Sequence, residues 1–465
     1  MPFSSLLFVH LFLPAFLVVY WAVPRSAKNG VAIGASLAFY AWGAPRFLPV
    51  VLGLGIVDFY LSHAIAKRRS RVLLALGVTM HLSVLVYFKY SNFFVDQLVH
   101  VFGPIGWVKV VLPIGVSFIT FEEISYLVDV YRGDARPARR LSHYVLFRTL
   151  FPHSIAGPTF RWKDLEGQLA ERTHDWTLVR SGFERFAQGL AKKLLIADSV
   201  GVITDGIFGL MPDQLTPQLA WLGAVAYAIQ IYFDFSGYSD MAIGLGRMIG
   251  FRFKENFNRP YISASVTEFW TRWHISLSSW LRDYLYIPLG GNRKGPRRAL
   301  TNLLIVFLLS GLWHGAAWTF VLWGAFHGVF VTLERLIGPQ RERIPRVLQH
   351  VLTLAIVVSG WVLFRAFTAA QAFDMIAAMF GHAPGGSVVP LPPDAVLFPH
   401  FAVFALVLAI VICLVPIVSK YADLTKIRVP AFAFPLARIG FVLLFVASAM
   451  HLTNMRITPL IYFKF

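Results

Sequence analysis

The sequence predicts an all-helical integral membrane protein of about 11–12 spans, and three observations lead to that class. Of the 465 residues 57% are hydrophobic and 14% charged, with a mean hydropathy of +0.63, far from the usage of a soluble domain. Apolar runs of roughly 20 residues, enough to cross a hydrocarbon core, recur from one end of the chain to the other. The formal net charge is +18, but the Lys and Arg residues gather in short clusters between apolar runs, not along one face as a nucleic-acid binder would place them. The positive-inside rule accounts for such clusters.

Taken in order, the first expected spans lie near 3–23, 30–44, 47–66, 72–95 and 108–131, separated by Pro, Gly or charge. The first stretch has no basic leader and no small-residue cleavage site, so it reads as a retained span. Basic clusters follow the first, third and fifth spans: Arg25 and Lys28, then Lys67, Arg68, Arg69 and Arg71, then Arg132, Arg136, Arg139 and Arg140. These loops are expected in the cytoplasm, which puts the N-terminus outside. Between Ser142 and Arg185 the apolar stretch is short and broken by Pro152, Gly157 and Pro158, as in a re-entrant segment. Later spans are expected near 186–210, 218–250, 299–313, 316–334, 347–369, 401–419 and 436–454. An even number of crossings returns the C-terminus to the outer side. The chain reads as one membrane domain over 1–465, with 455–465 an aromatic tail outside the membrane. The single cysteine, Cys413, lies in an apolar run and is expected to pack.

Polar groups at membrane depth cost several kcal/mol and mark candidate sites unless they pair. One group is the aromatic and basic stretch from Phe269 to Asp283, which includes Arg272, Trp273 and His274. A second is Ser310-Gly311-Leu312-Trp313-His314-Gly315-Ala316-Ala317-Trp318, set between Arg298 and Arg335. From Arg298 to His314 is roughly 16 helical residues, about 24 Å at about 1.5 Å per residue, most of a core about 30 Å thick. His314 is therefore expected deep in the membrane, near the apex of a helical hairpin. Gly311 and Gly315 would let a substrate or another helix approach closely. A neutral imidazole there suits a general base; the alternative is a histidine hydrogen-bonded for helix packing. A third group is the tail, Thr458 to Phe465, where Tyr462 reads either as an interfacial anchor or as a hydroxyl tethered near His314. Asp234 and Asp240 are expected to pair with Arg247 or Arg272 or to end a helix, and Glu122 and Glu123 to pair with Arg148 or Arg161. No metal-binding motif, phosphate loop or GxSxG elbow occurs.

The motifs Pro113-Ile114-Gly115-Val116-Ser117-Phe118, Tyr126 to Gly133, Ala156-Gly157-Pro158, Tyr232 to Asp240, Arg272 to Leu277 and Trp313-His314-Gly315 occur in this order. As an ordered set they resemble the membrane-bound O-acyltransferase family, in particular its alginate O-acetylation branch, over most of the chain. The resemblance implies a ring of tilted helices with re-entrant segments around a thinned centre. It implies O-acetyl transfer from a cytoplasmic thioester, acetyl-coenzyme A, toward an exported polysaccharide such as alginate. Acylation of a lipid or protein hydroxyl, or a flippase with His274, Asp234 and Asp240 at its midplane, are the alternatives. His314 and His274 would be catalytic, with Trp313, Trp273, Arg272, Asp234, Asp240 and Trp318 in support. The tail is similar to an aromatic motif of this branch, which would make Tyr462 an acyl carrier handing its group to an extracytoplasmic transferase of SGNH type. No resident cofactor, metal or nucleic acid is implied. The expected location is a bacterial inner membrane, with lipid as its solvent.

Overall fold

Prolines and glycines place many of the helix ends, as the sequence suggests they should. The computed structural model describes residues 1–154, 157–382, 397–422 and 433–454. Among the described residues every regular element is helical. The chain divides into two compact units, Met1–Phe186 with Met241–Lys254, and Ala187–Asp240 with Glu255–Phe465.

The first unit contains α1 (Leu13–Ala22), α2 (Lys28–Gly43), α3 (Leu48–Arg68), α4 (Arg71–Phe102) and α5 (Val116–Arg132), followed by the short α6 (Leu141–Thr149), α7 (Phe151–Ser154) and α8 (Trp162–Ala170). Ser70 caps α4 by accepting a hydrogen bond from the Leu73 amide at 3.3 Å. The span expected from 108 begins only at Val116, because Pro113 and Gly115, at φ 77°, hold the preceding chain out of the helix. Asn92 Oδ1 accepts hydrogen bonds from the Val110 amide (2.9 Å) and from Trp107 Nε1 (3.0 Å), which ties that extended segment to α4. The short helices α6 to α8 have nine, four and nine residues, too few for a crossing, as expected. An aromatic cluster fills the core, with Phe151 edge-on to Phe12 at 5.4 Å and to Phe16 at 5.1 Å.

Several charged groups are buried in this unit, and four of them form one cluster. His81 lies with Nε2 2.8 Å from Asp58 and Nδ1 2.6 Å from Glu123, and Arg148 pairs with both carboxylates. Glu122 pairs with His153 at 3.1 Å. The expected partner Arg148 is thus found by Glu123, while Glu122 meets a histidine. Pairing explains why these groups tolerate burial, since removing one partner of such a pair costs about 3–5 kcal/mol.

α9 (Trp176–Ala191) carries the chain into the second unit, and α11 (Pro217–Met248) runs back out of it. The single span expected near 186–210 is broken by a π turn at Lys192–Ala197, after which α10 (Asp198–Phe208) continues. The break has an electrostatic reason, since buried Lys193 sits 2.7 Å from Asp198 and 2.8 Å from Asp234, and Lys192 lies 2.6 Å from Asp240. A π turn shifts the helical register and brings both amines to their carboxylates. The two aspartates therefore find lysines on a neighbouring helix, where Arg247 or Arg272 was expected. Close backbone approach permits this, as a Cβ at Gly237 would lie 2.7 Å from the Gly189 carbonyl oxygen.

The rest of the second unit is α12 (Val266–Arg272), α13 (Ile275–Leu281), α14 (Pro296–His314), α15 (Trp318–Ile337), α16 (Arg346–Arg365) and α17 (Ala369–Met379), then helices His400–Ala422 and Ala433–Asn454. Cys413 packs against its hydrophobic core. Five helices among the described residues are long and apolar enough to cross a membrane: Pro45–Arg68, Arg71–Phe102, Pro217–Met248, Trp318–Ile337 and Arg346–Arg365. Shorter apolar helices occupy Phe8–Ala22, His400–Val415 and Arg438–Leu452.

Candidate active site

The hairpin predicted around His314 is present. α14 ends at His314, Gly315 is extended, and α15 starts at Trp318. The two helices touch at backbone level. A Cβ on Gly311 would overlap the Phe320 carbonyl, and one on Gly324 would overlap that of Phe307. The space at Gly311 is therefore used by a helix and not by a substrate, which resolves the two possibilities the sequence left open. At Gly315 the Phe320 ring fills the same role.

His314 is 6% exposed. Rings of Trp313, Trp323 and Phe364 surround it at 5.0, 5.1 and 5.3 Å. These rings form an apolar wall around the imidazole, which also lines a cavity.

His274 reaches the same cavity by a different local device. It stands between α12 and α13 with φ 44° and ψ 53°, a left-handed conformation that is uncommon for a residue with a Cβ and costs about 1–3 kcal/mol. Its ring is held by Asn256. Nδ1 lies 3.2 Å from Asn256 Oδ1, which also accepts the Ser276 amide at 3.2 Å and the Ser276 hydroxyl at 2.8 Å. A backbone N–H can only donate, so that atom of Asn256 is the oxygen and His274 Nδ1 carries the proton. Nε2 is then the acceptor of the neutral ring. α12 is anchored at its start by Glu334, whose carboxylate accepts the amides of Val266 and Thr267, each at 2.9 Å, as anions do at helix N-termini.

Between α12, α13, α14 and α15 lies a cavity of about 300 Å³. His274, Trp273, Ser310 and His314 line it, as do Arg282, Tyr286, Asn292 and Arg335. Tyr286, Asn292 and Arg335 form one polar cluster, while Arg282 pairs with Asp283 at 2.7 Å. Arg335 donates to Asn292 Oδ1 at 2.9 Å and to the Tyr286 hydroxyl at 3.3 Å, and Tyr286 donates to Asn292 at 2.5 Å.

The structure thus joins two of the three sequence-predicted catalytic residues, His314 and His274, in one cavity, with Trp273 in its wall. Trp313 is buried and its ring contacts both imidazoles, at 6.4 Å from His274 and 5.0 Å from His314. Arg272 pairs with Glu268 at 3.0 Å and Trp318 is 55% exposed at the start of α15; neither lines the cavity. Asp234 and Asp240 are engaged by Lys193 and Lys192. Tyr462 lies outside the described residues. Sequence reasoning missed Asn256, Tyr286 and Asn292, and it marked Trp270 only as part of the Phe269 to Asp283 stretch. Only the polarity of the 282–298 segment pointed toward Tyr286 and Asn292.

A sequence model described as the membrane-bound O-acyltransferase family, MBOAT, matches residues 139–373, a stretch containing both histidines. The chain belongs to the membrane-bound O-acyltransferase family. It is 42% identical to the probable alginate O-acetylase AlgI of Azotobacter vinelandii, with 100% of each chain covered. It is 48% identical to the protein of that name from Pseudomonas aeruginosa over 82% of this chain and 75% of the relative. Identity to the peptidoglycan O-acetyltransferase of Helicobacter pylori is 33%, over 82% of this chain and 80% of that one. This acyltransferase is a multi-pass membrane enzyme whose relatives support O-acetylation of polysaccharide.

Proposed function

We propose that this acyltransferase takes an acetyl group from acetyl-coenzyme A on the cytoplasmic side of a bacterial inner membrane and delivers it to a hydroxyl on the outer side, for O-acetylation of an exported polysaccharide such as alginate. The observation that carries this reading is the cavity itself, with two histidines and the guanidiniums of Arg282 and Arg335 in one lining. The two guanidiniums suit the phosphates of a coenzyme A thioester, and the narrow arm of such a donor fits a cavity of about 300 Å³. The basic segment Arg293 to Arg298 and Arg335 support a mouth that faces the cytoplasm by the positive-inside rule, and the same rule supports both chain termini lying outside.

In this reading His314 accepts the proton of the attacking hydroxyl as its oxygen bonds to the thioester carbonyl carbon. The tetrahedral oxyanion collapses with cleavage of the carbon–sulfur bond, and the leaving thiolate takes the proton from His314. The products are the O-acetyl ester and the free thiol. With Nδ1–H bound to Asn256, His274 is an acceptor, so it orients a donor group of the substrate. Indole N–H groups of the wall, Trp270 among them, are left to steady the oxyanion. Tyr462 serves as the hydroxyl that first receives the acetyl group, before an SGNH-type transferase outside the membrane passes it to polymer.

Purified enzyme incubated with radiolabelled acetyl-coenzyme A tests this. Wild type is expected to consume thioester, and His314→Ala to lose at least about 100-fold in rate, the contribution of a positioned general base. Full activity in His314→Ala would remove the assignment. Intact-mass detection of acetyl on the tail of wild type, absent from Tyr462→Phe, checks the carrier.

A further inference from the structure

α1 and α2 leave a groove between them of about 560 Å³, lined by apolar side chains including Leu11, Phe12, Val19, Val31, Ala35 and Trp42. From Val31 to Trp42 it runs about 16 Å at about 1.5 Å per residue, roughly the depth of one leaflet of a core about 30 Å thick. At the Val19 and Val31 end the surface changes character. Lys28, 5% exposed, donates to the Tyr20 carbonyl at 2.6 Å and stands over the Tyr20 and Trp21 rings at 4.5 and 4.6 Å. Arg172 donates to the Tyr20 hydroxyl at 2.8 Å and to Asn29 Oδ1 at 2.7 Å, and Arg25 lies beside them, exposed.

The bonds of Lys28 and Arg172 go to neutral oxygens, and none of the three cations forms an ion pair among the described residues. The positive potential is felt locally. Burial first, and then the charges of Arg172, Lys28 and Arg25, hold the His174 imidazole down at about 4. A half-buried triple positive charge with no carboxylate ion-paired to it among the described residues is costly and favours an anion from outside. Its position at the end of a leaflet-deep apolar groove says which kind.

We propose that the α1–α2 groove and its cation cluster bind an anionic phospholipid, with one acyl chain along the groove and the headgroup phosphate at Arg25, Lys28 and Arg172. The site lies in the first unit and does not depend on the acyl-transfer reading.

Enzyme purified in mild detergent and offered equal amounts of phosphatidylglycerol and phosphatidylcholine is examined by native mass spectrometry. Phosphatidylglycerol is expected to be retained at least about fivefold over phosphatidylcholine, since one surface cation near an anionic headgroup contributes about that factor. Arg25→Gln, at an exposed side chain, should lower the preference about fivefold. Ala35→Phe, which fills the groove, should remove both lipids, and excess inorganic phosphate should leave the phosphatidylglycerol adduct in place. Equal retention of the two lipids by wild type overturns the proposal, and that comparison stands even if a variant fails to fold. A preference unchanged in Arg25→Gln, or an adduct displaced by phosphate, overturns it as well.

Discussion

One added methyl group at Gly311 should reduce activity far more than stability. An alanine Cβ there would overlap the Phe320 carbonyl oxygen, with the Phe320 carbonyl carbon at 3.1 Å and Gly324 Cα at 3.2 Å. All three are backbone atoms of α15, so no side-chain rotation relieves the overlap and the helices must move apart. Overpacking of this kind costs about 1–3 kcal/mol, and replacing Gly by Ala inside a helix returns about 1 kcal/mol. The net destabilisation is then about 0–2 kcal/mol, and the fold should survive. His314 lies one turn further along α14, so a helix shift of about 1 Å displaces its imidazole by a similar amount, which can cost about 100-fold in rate. Steady-state acetyl transfer, measured beside thermal unfolding of the same detergent-solubilised protein, separates the two effects. A Gly311→Ala enzyme with wild-type kcat would refute the argument that backbone contact between α14 and α15 sets the position of His314.

Two further outcomes follow from polar groups around the site and at the surface. Asn256→Ala should lower kcat by about 10-fold, since His274 loses the bond that fixes its tautomer, while Asn256→Asp, which keeps the accepting oxygen, should retain most of it. A loss in KM alone would argue against tautomer control. Stability should also fall as pH drops from about 6.5 toward about 4, because His174 resists protonation in the folded protein, where its value is about 4, but takes a proton near 6.5 once unfolded. Above that window the folded protein keeps this stability in full. His174→Gln should flatten this part of the pH–stability curve, and an unchanged slope would show that another group is responsible.

The sequence by itself determined the features that depend on local composition. Hydropathy and proline placed most helices of both units to within a few residues, and the flanking basic residues with the Trp313-His314-Gly315 turn placed His314 at the apex of a hairpin. Those signals are local because the cost of an apolar or charged residue at a given depth hardly depends on its distant neighbours. Tertiary structure alone decided which groups meet. Asn256 looks like a loop amide until it is seen holding His274, 18 residues away, and Lys193 looks like a defect in a span until a π turn delivers it to Asp234. The cluster of Tyr286, Asn292 and Arg335 at the cavity was equally hidden, since Arg335 read only as a topological marker. A hydrogen bond or ion pair needs a partner within about 3 Å, and chain order fixes no such distance between helices. The sequence thus located each histidine along its own segment, and only helix packing brought them to one cavity.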